Sequence, residues 1–231
     1  MCKFGHVWKL ALISLLSLSA FAEEKIPSDG YKKVIFKDDF SGEKIGKHWK
    51  FYKSESRVEN GVLIGLMPKD ADHNSVNQVI LSPFSDVEVS MKFKFEGSPM
   101  FVVAFNDSKY KDSHAGHICR AIFKKNMITL RDGKTGNFKN EIWEKKKAGK
   151  LDSETQELLK SKTKDFKFNF EEGKWYSLVI RIQKETMQVL VDDKIIGTFS
   201  SEGIAHTTKN KPALVVAKQA MHFDDLIIKT P

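Results

Sequence analysis

An all-β fold, an antiparallel β-sandwich of jelly-roll type, is predicted by three features of this chain. Apolar and polar residues alternate without a break from Asp86 to Glu96, as in a strand with one wet and one packed face. An Asn60-Gly61 pair stands between apolar flanks, the strongest short hairpin signal. Short strand-like runs bounded by turn residues then recur through most of the remaining sequence.

Taken in order, the chain opens on a basic segment with Lys3 and Lys9, an apolar run from Leu10 to Leu18, and Ala20-Phe21-Ala22 ahead of Glu23-Glu24. This pattern predicts a signal peptide over residues 1–22, and hence a secreted or periplasmic protein. The apolar run is short of the roughly 20 residues of a membrane span, so no stable membrane anchor is expected after cleavage. Cleavage removes Cys2, leaving Cys119 alone and excluding an internal disulfide. It also removes Lys3 and Lys9, lowering the formal net charge from +8 to +6. That excess is mostly lysine, spread widely, and reads as a solvated surface; no nucleic-acid partner is expected.

Residues 23–231 read as one β-sandwich domain. Strands are expected at Lys33–Lys37, on both sides of Asn60-Gly61, over Asp86–Glu96 and over Met100–Phe105. Further strands are expected at Ile118–Phe123, Met127–Leu130, Trp175–Gln183, Met187–Val191, Lys194–Phe199, Ala213–Ala217 and Met221–Lys229. One stretch breaks the pattern. About 140–162 is rich in Glu, Lys, Leu and Ala; Glu141 precedes Lys145 by four, and Ser153 and Gln156 have capping-box spacing. A short helical insertion between two strands is predicted there.

The densest chemistry lies at Ser113–Arg120. If Gly116 begins a strand, alternation sends His117 and Cys119 to one face and Ile118 and Arg120 to the other, with His114 in the preceding loop. Such a histidine can act as a general base near neutral pH, and an arginine can fork onto a carboxylate or sugar acid. Equally, His117 can be a hydrogen-bonded sandwich histidine, Cys119 a small core residue and Arg120 half of an ion pair. Asp132 and Lys134 sit in a glycine-rich turn, and His206 and Lys209 in a loop between strands, where binding groups concentrate. The expected catalytic set is therefore His114, His117 and His206, with Arg120, Asp132, Lys134 and Lys209 contacting ligand. Asp39, near the start, and Asp224, near the end, could hold a structural Ca²⁺ through hard oxygen ligands, or simply cap turns.

Several classes are not supported. His114 and His117 lack a matching Cys/His pair at zinc-ligand spacing. No phosphate-loop motif sits between a strand and a helix. No strand carries the two carboxylates that most glycosidases need; only Asp86 and Glu88 come close.

Asp38-Asp39-Phe40-Ser41-Gly42 with Trp49, the Asn60-Gly61 hairpin, Gly173-Lys174-Trp175, Val191-Asp192-Asp193-Lys194 and Phe223-Asp224-Asp225-Leu226 together resemble concanavalin A-like lectin/glucanase jelly rolls. Within that superfamily the chain is most similar to exported 3-keto-disaccharide hydrolase-type domains. It departs from them in carrying Phe36-Lys37-Asp38-Asp39 where they open with Phe-Asn-Gly-Lys, and in the helical insertion. The resemblance implies a carbohydrate ligand and activity on keto-sugar glycosides. A non-catalytic glycan- or protein-binding module, or a lyase for acidic polysaccharide, are the alternatives.

Overall fold

The computed structural model describes Met1 and residues 24–231, so the leader expected over residues 1–22 lies outside the described residues. In chain order the elements are β1 (Lys33–Asp38), β2 (Trp49–Tyr52), β3 (Arg57–Glu59), β4 (Val62–Gly65), β5 (Ser75–Val79), β6 (Val87–Glu96), β7 (Met100–Asn106), β8 (His117–Lys124) and β9 (Met127–Asp132). The insertion follows, with α1 (Asn140–Lys147) and α2 (Ser153–Ser161). The chain closes with β10 (Thr163–Lys167), β11 (Trp175–Gln183), β12 (Thr186–Val191), β13 (Lys194–Ser200), β14 (Lys211–Val216) and β15 (Ala220–Thr230).

Two antiparallel sheets face each other. One runs β13-β12-β11-β6-β15-β4-β3, with β1 also paired to β15; the other runs β10-β9-β8-β7-β14-β5-β2. This is the jelly-roll sandwich that the alternation predicts. First and last strands lie side by side, Asp38 opposite Leu226. The long alternating strand became β6, and its inward residues Val87, Val89, Met91, Phe93 and Phe95 are all buried. Phe93 is the hub of the core. Its ring lies 4.8 Å from Phe101, 5.4 Å from Phe170, 5.7 Å from Tyr176 and 6.0 Å from Phe123, separations at which aromatic pairs attract. The Asn60-Gly61 turn joins β3 to β4 with positive φ at both residues (53° and 74°), as a type I′ hairpin requires.

Three strands carry no alternation that foretells them. β10 is a short, charged edge strand, a common guard against edge-to-edge pairing. β2 is a four-residue edge strand at the other side of the same sheet. β5 inverts the pattern, burying Ser75 and Asn77 completely. Asn77 is satisfied there by Ser54 Oγ at 2.8 Å and the Leu214 carbonyl at 3.3 Å, so burial costs it little. In the insertion, the cap of α2 falls one residue before Ser153. The Asp152 carboxylate accepts from the Thr155 amide at 2.7 Å, and Asp152 is the true N-cap.

Because pairing is antiparallel, Asn106, His117, Asp132, Thr163 and Lys211 all come to one end of the seven-stranded sheet. The helical insertion folds back against that end. Among the described residues no helix is long and apolar enough to cross a membrane.

Candidate functional site

The stretch richest in chemistry does not keep the alternation expected of it. Cys119 pairs with Phe105 and His117 with Asn106, so Ile118 is an extra residue, a β-bulge at the start of β8. The bulge resets the faces. Ile118 and Cys119 both enter the core, while His117 and Arg120, expected on opposite faces, meet on the same side against Phe138. The Phe138 ring is 4.5 Å from the His117 ring and 4.1 Å from the Arg120 guanidinium carbon. His114 stacks on Trp143 of α1 at 4.1 Å, nearly parallel at 12°. The insertion and the turn that leads into it thus bring two aromatic rings, Trp143 and Phe138, to this end of the sheet. Among the described residues Arg120 is not half of an ion pair, and its buried Nε has no hydrogen-bond partner.

The tautomer of His117 is set by its neighbour. Asn106 Nδ2 donates to the Lys211 carbonyl at 3.0 Å, which turns Oδ1 toward the ring at 2.7 Å from Nδ1. Nδ1 must therefore carry the proton, leaving the lone pair on Nε2. Burial, followed by the charges of Arg120 and His114, pushes the His117 pKa down to about 2. It is a neutral hydrogen-bond acceptor, and a weak base. An acid-lability prediction follows. An unfolded histidine takes up a proton near pH 6.5, whereas folded His117 stays neutral until about pH 2. The unfolded state binds more protons across that window, so stability falls as pH drops through it, by about 2 kcal/mol between pH 6.5 and 5. Urea midpoints at pH 7 and 5 check this: His117→Asn, which keeps a donor for Asn106, should flatten the difference.

A second histidine is held by the very next residue. Asp107 Oδ2 accepts from His206 Nε2 at 2.8 Å and from Thr208 Oγ1 at 2.7 Å, and Oδ1 accepts from the Lys109 amide at 2.7 Å. Burial alone would raise the Asp107 carboxyl, but these hydrogen bonds outweigh it and bring the pKa down to about 2. Burial lowers the pKa of His206 in spite of the opposing Asp107 carboxylate. With Nε2–H given to Asp107, neutral His206 keeps its lone pair on Nδ1, which no described residue hydrogen-bonds. Around this dyad stand Tyr110, its ring 4.9 Å from His206, and Lys134, its Nζ 5.3 Å from the Tyr110 ring.

Two residues expected to touch ligand do something else. Asp132 is fully buried, and its carboxylate accepts from the Thr135 amide at 3.0 Å, Thr135 Oγ1 at 2.5 Å, Ser201 Oγ at 2.6 Å and the Gly203 amide at 2.9 Å. Lys209 is equally sealed, and its ammonium donates to the carbonyls of Ile204 and His206. Neither has surface left for a ligand. Both instead pin the loop from Ser201 to Lys209 that carries His206. Gly203 permits the approach, since a Cβ there would stand 2.1 Å from Asp132 Oδ1. Gly116 does the same for the Asp107 side, with φ of 69° and no room for a Cβ against the Asp107 carbonyl. Lys134 is half-buried and remains at the dyad. Among the described residues no group of three or more His, Cys, Asp or Glu side chains could hold a metal ion. Asp39 accepts from Ser41 and Asp224 from the Asp225 amide, both as local turn contacts.

Asn106, Asp107, Tyr110, Phe138 and Trp143 went unread in the sequence. A trace of signal exists in Asn106-Asp107, the first polar residues after the apolar run of β7 and therefore the start of a loop at a strand end. Nothing local marks Phe138 or Trp143, whose role depends on how the insertion folds back.

Comparisons with known proteins agree with this architecture. Residues 35–229 match the model of the 3-keto-alpha-glucoside-1,2-lyase-like domain. No curated protein matches the chain by sequence. Among solved structures, a non-specific endo-beta-1,3(4)-glucanase from family GH16 is 12% identical over 90% of this chain and 93% of its own, with a TM-score of 0.59. The carbohydrate-binding module CBM66 from Bacillus subtilis is 11% identical over 79% of this chain and 96% of its own (TM-score 0.53). A sialidase is 14% identical over 89% of this chain (TM-score 0.61), but the chain spans only 19% of that protein's length. At these identities the likeness is one of fold, that of the concanavalin A-like lectins and glucanases.

Proposed function

This chain belongs to the 3-keto-alpha-glucoside-1,2-lyase-like domain family, and on that premise we propose that it is an exported protein that cleaves keto-sugar glycosides by elimination. The observation that carries this reading is the Asp107–His206 hydrogen bond, which leaves a neutral imidazole with an unpartnered Nδ1 at a loop-lined strand end. A ketone at C3 of a glycoside makes the C2 proton acidic. His206 Nδ1 removes that proton, and the C2–H electrons become an enolate spread to the C3 oxygen. The enolate then re-forms the ketone, makes the C1–C2 double bond and expels the C1 oxygen, which takes a proton from water as it leaves, while the His206 imidazolium returns its own proton to solvent.

In this scheme Asp107 orients the imidazole and favours its protonated form once the proton arrives. Lys134 supplies positive charge for the enolate oxygen. His117, neutral and with a free lone pair on Nε2, accepts from a sugar hydroxyl on the neighbouring face. The stacked His114–Trp143 pair offers a flat apolar surface beside it. Export rests on the pattern of residues 1–22. The glycan-directed names of the glucanase, sialidase and binding-module neighbours support a carbohydrate ligand.

The test is release of aglycone from 3-keto-α-glucosides by the purified protein, with the parent α-glucosides as control. The reading predicts turnover of the keto forms alone. Glycan binding without turnover of any keto-glycoside would replace it with the binding-module alternative.

A further inference from the structure

Away from the His206 loops, a cleft of about 460 Å³ lies between the helical insertion and the outer surface of β9 and β10. Its walls include Arg131, Asn137, Lys146, Gln156 and Thr163, with Asp165 the carboxylate among them. The fold answers its charge only in part: Lys160 is paired with Glu157 and Arg131 feels Asp165, so the lining keeps a net positive charge. Arg131 stands directly across the ladder from Arg120, a register that puts their Cβ atoms about 5 Å apart and sets two like charges side by side. Among the described residues the arginine ion pairs are Arg57–Glu59 and Arg181–Glu88, so neither Arg120 nor Arg131 has one. Arg131 makes a single long bond, Nε to Thr163 Oγ1 at 3.3 Å, and Asp165 is engaged by the Thr129 hydroxyl at 2.6 Å.

The cleft also holds an unanswered acceptor. Asn137 is only 9% exposed and its Oδ1 has no hydrogen-bond partner; the other such atom among the described residues is Arg120 Nε, one strand away. A buried polar atom left unpaired is costly, so a site that keeps one invites a ligand to satisfy it.

We propose that this cleft is a subsite for an acidic sugar, a uronate unit whose carboxylate is gripped by Arg131 and whose ring hydroxyl donates to Asn137 Oδ1. A guanidinium fork matches a planar carboxylate, and the adjoining Arg120 and Lys146 add to the attraction. A sulfate ester answers the positive charge but is tetrahedral, and it stands one bond further from the ring than a uronate carboxylate does. The inference rests on the ligand being a glycan, but not on its being cleaved.

Calorimetric titration with tri-galacturonate, its full methyl ester and a sulfated trisaccharide lacking uronate tests this. The acid should bind at least tenfold more tightly than either comparator. Arg131→Ala should lose at least tenfold, and Arg131→Lys, which keeps charge and fold but not the fork, should recover only part. Wild-type protein that binds tri-galacturonate but turns over no 3-keto-α-glucoside would sink the elimination reading and leave the subsite standing, so the two failures are distinguishable. Equal binding of acid and ester, preference for the sulfated sugar, or indifference to Arg131→Ala in a protein that melts as wild type would each overturn the subsite.

Discussion

Replacing His206 by Gln should lower kcat for a 3-keto-α-glucoside by about a hundred- to ten-thousand-fold, the range lost when a positioned general base is removed. KM should change little, because the imidazole acts on the C2 proton and not on the bulk of sugar binding. Gln keeps a side-chain amide that can donate to Asp107, so the loop should hold and thermal unfolding should shift by no more than a few degrees. Asp107→Asn should also cut kcat, since an amide can no longer fix the imidazole with Nε2–H toward it. Because burial lowers the His206 pKa, wild-type kcat/KM should stay level from neutral pH down past 6.5 and fall only in more acid solution. A loss of kcat in His117→Gln as deep as that in His206→Gln would shift the base to the wrong histidine for this scheme.

Asp132→Ala carries the largest expected cost to stability, about 3–5 kcal/mol by urea unfolding. The side chain is wholly buried, and four donors from two loops converge on its carboxylate. Truncation leaves those donors without a partner in a space too tight for the loops to collapse freely, and each such group costs about 1–3 kcal/mol before relaxation. The same change should reduce turnover with little direct effect on ligand, since it releases the Gly203 end of the loop that presents His206. A variant that binds sugar more weakly while unfolding at the wild-type urea concentration would return Asp132 to the ligand-contact role expected from its glycine-rich turn.

The contrast between what the sequence reveals and what it hides has a physical basis. Strands such as β6 and the β3–β4 hairpin are legible because one face must be apolar and one turn must have positive φ, and both demands act on adjacent residues. β5 is hidden because Asn77 and Ser75 are buried yet satisfied by hydrogen bonds, so polarity no longer reports exposure. The site is hidden for a further reason. A single bulge at Ile118 moves Arg120 and His117 to one side, and no local pattern announces it. Asp132 and Lys209 were visible as polar loop residues, but whether such a residue faces solvent or ties two loops together depends on contacts 69 positions away in the first case.

The central claim is that His206 removes the C2 proton and that the glycosidic bond breaks by elimination. Incubating the protein with a 3-keto-α-glucoside in D₂O and following the sugar by NMR addresses it directly. The mechanism predicts a C1–C2 unsaturated keto-sugar, or, where water adds back, a released keto-sugar carrying deuterium at C2, and neither product with His206→Gln. Release of a keto-sugar that keeps its C2 proton, at a rate faster than non-enzymatic exchange, would contradict it and point to direct hydrolysis at C1.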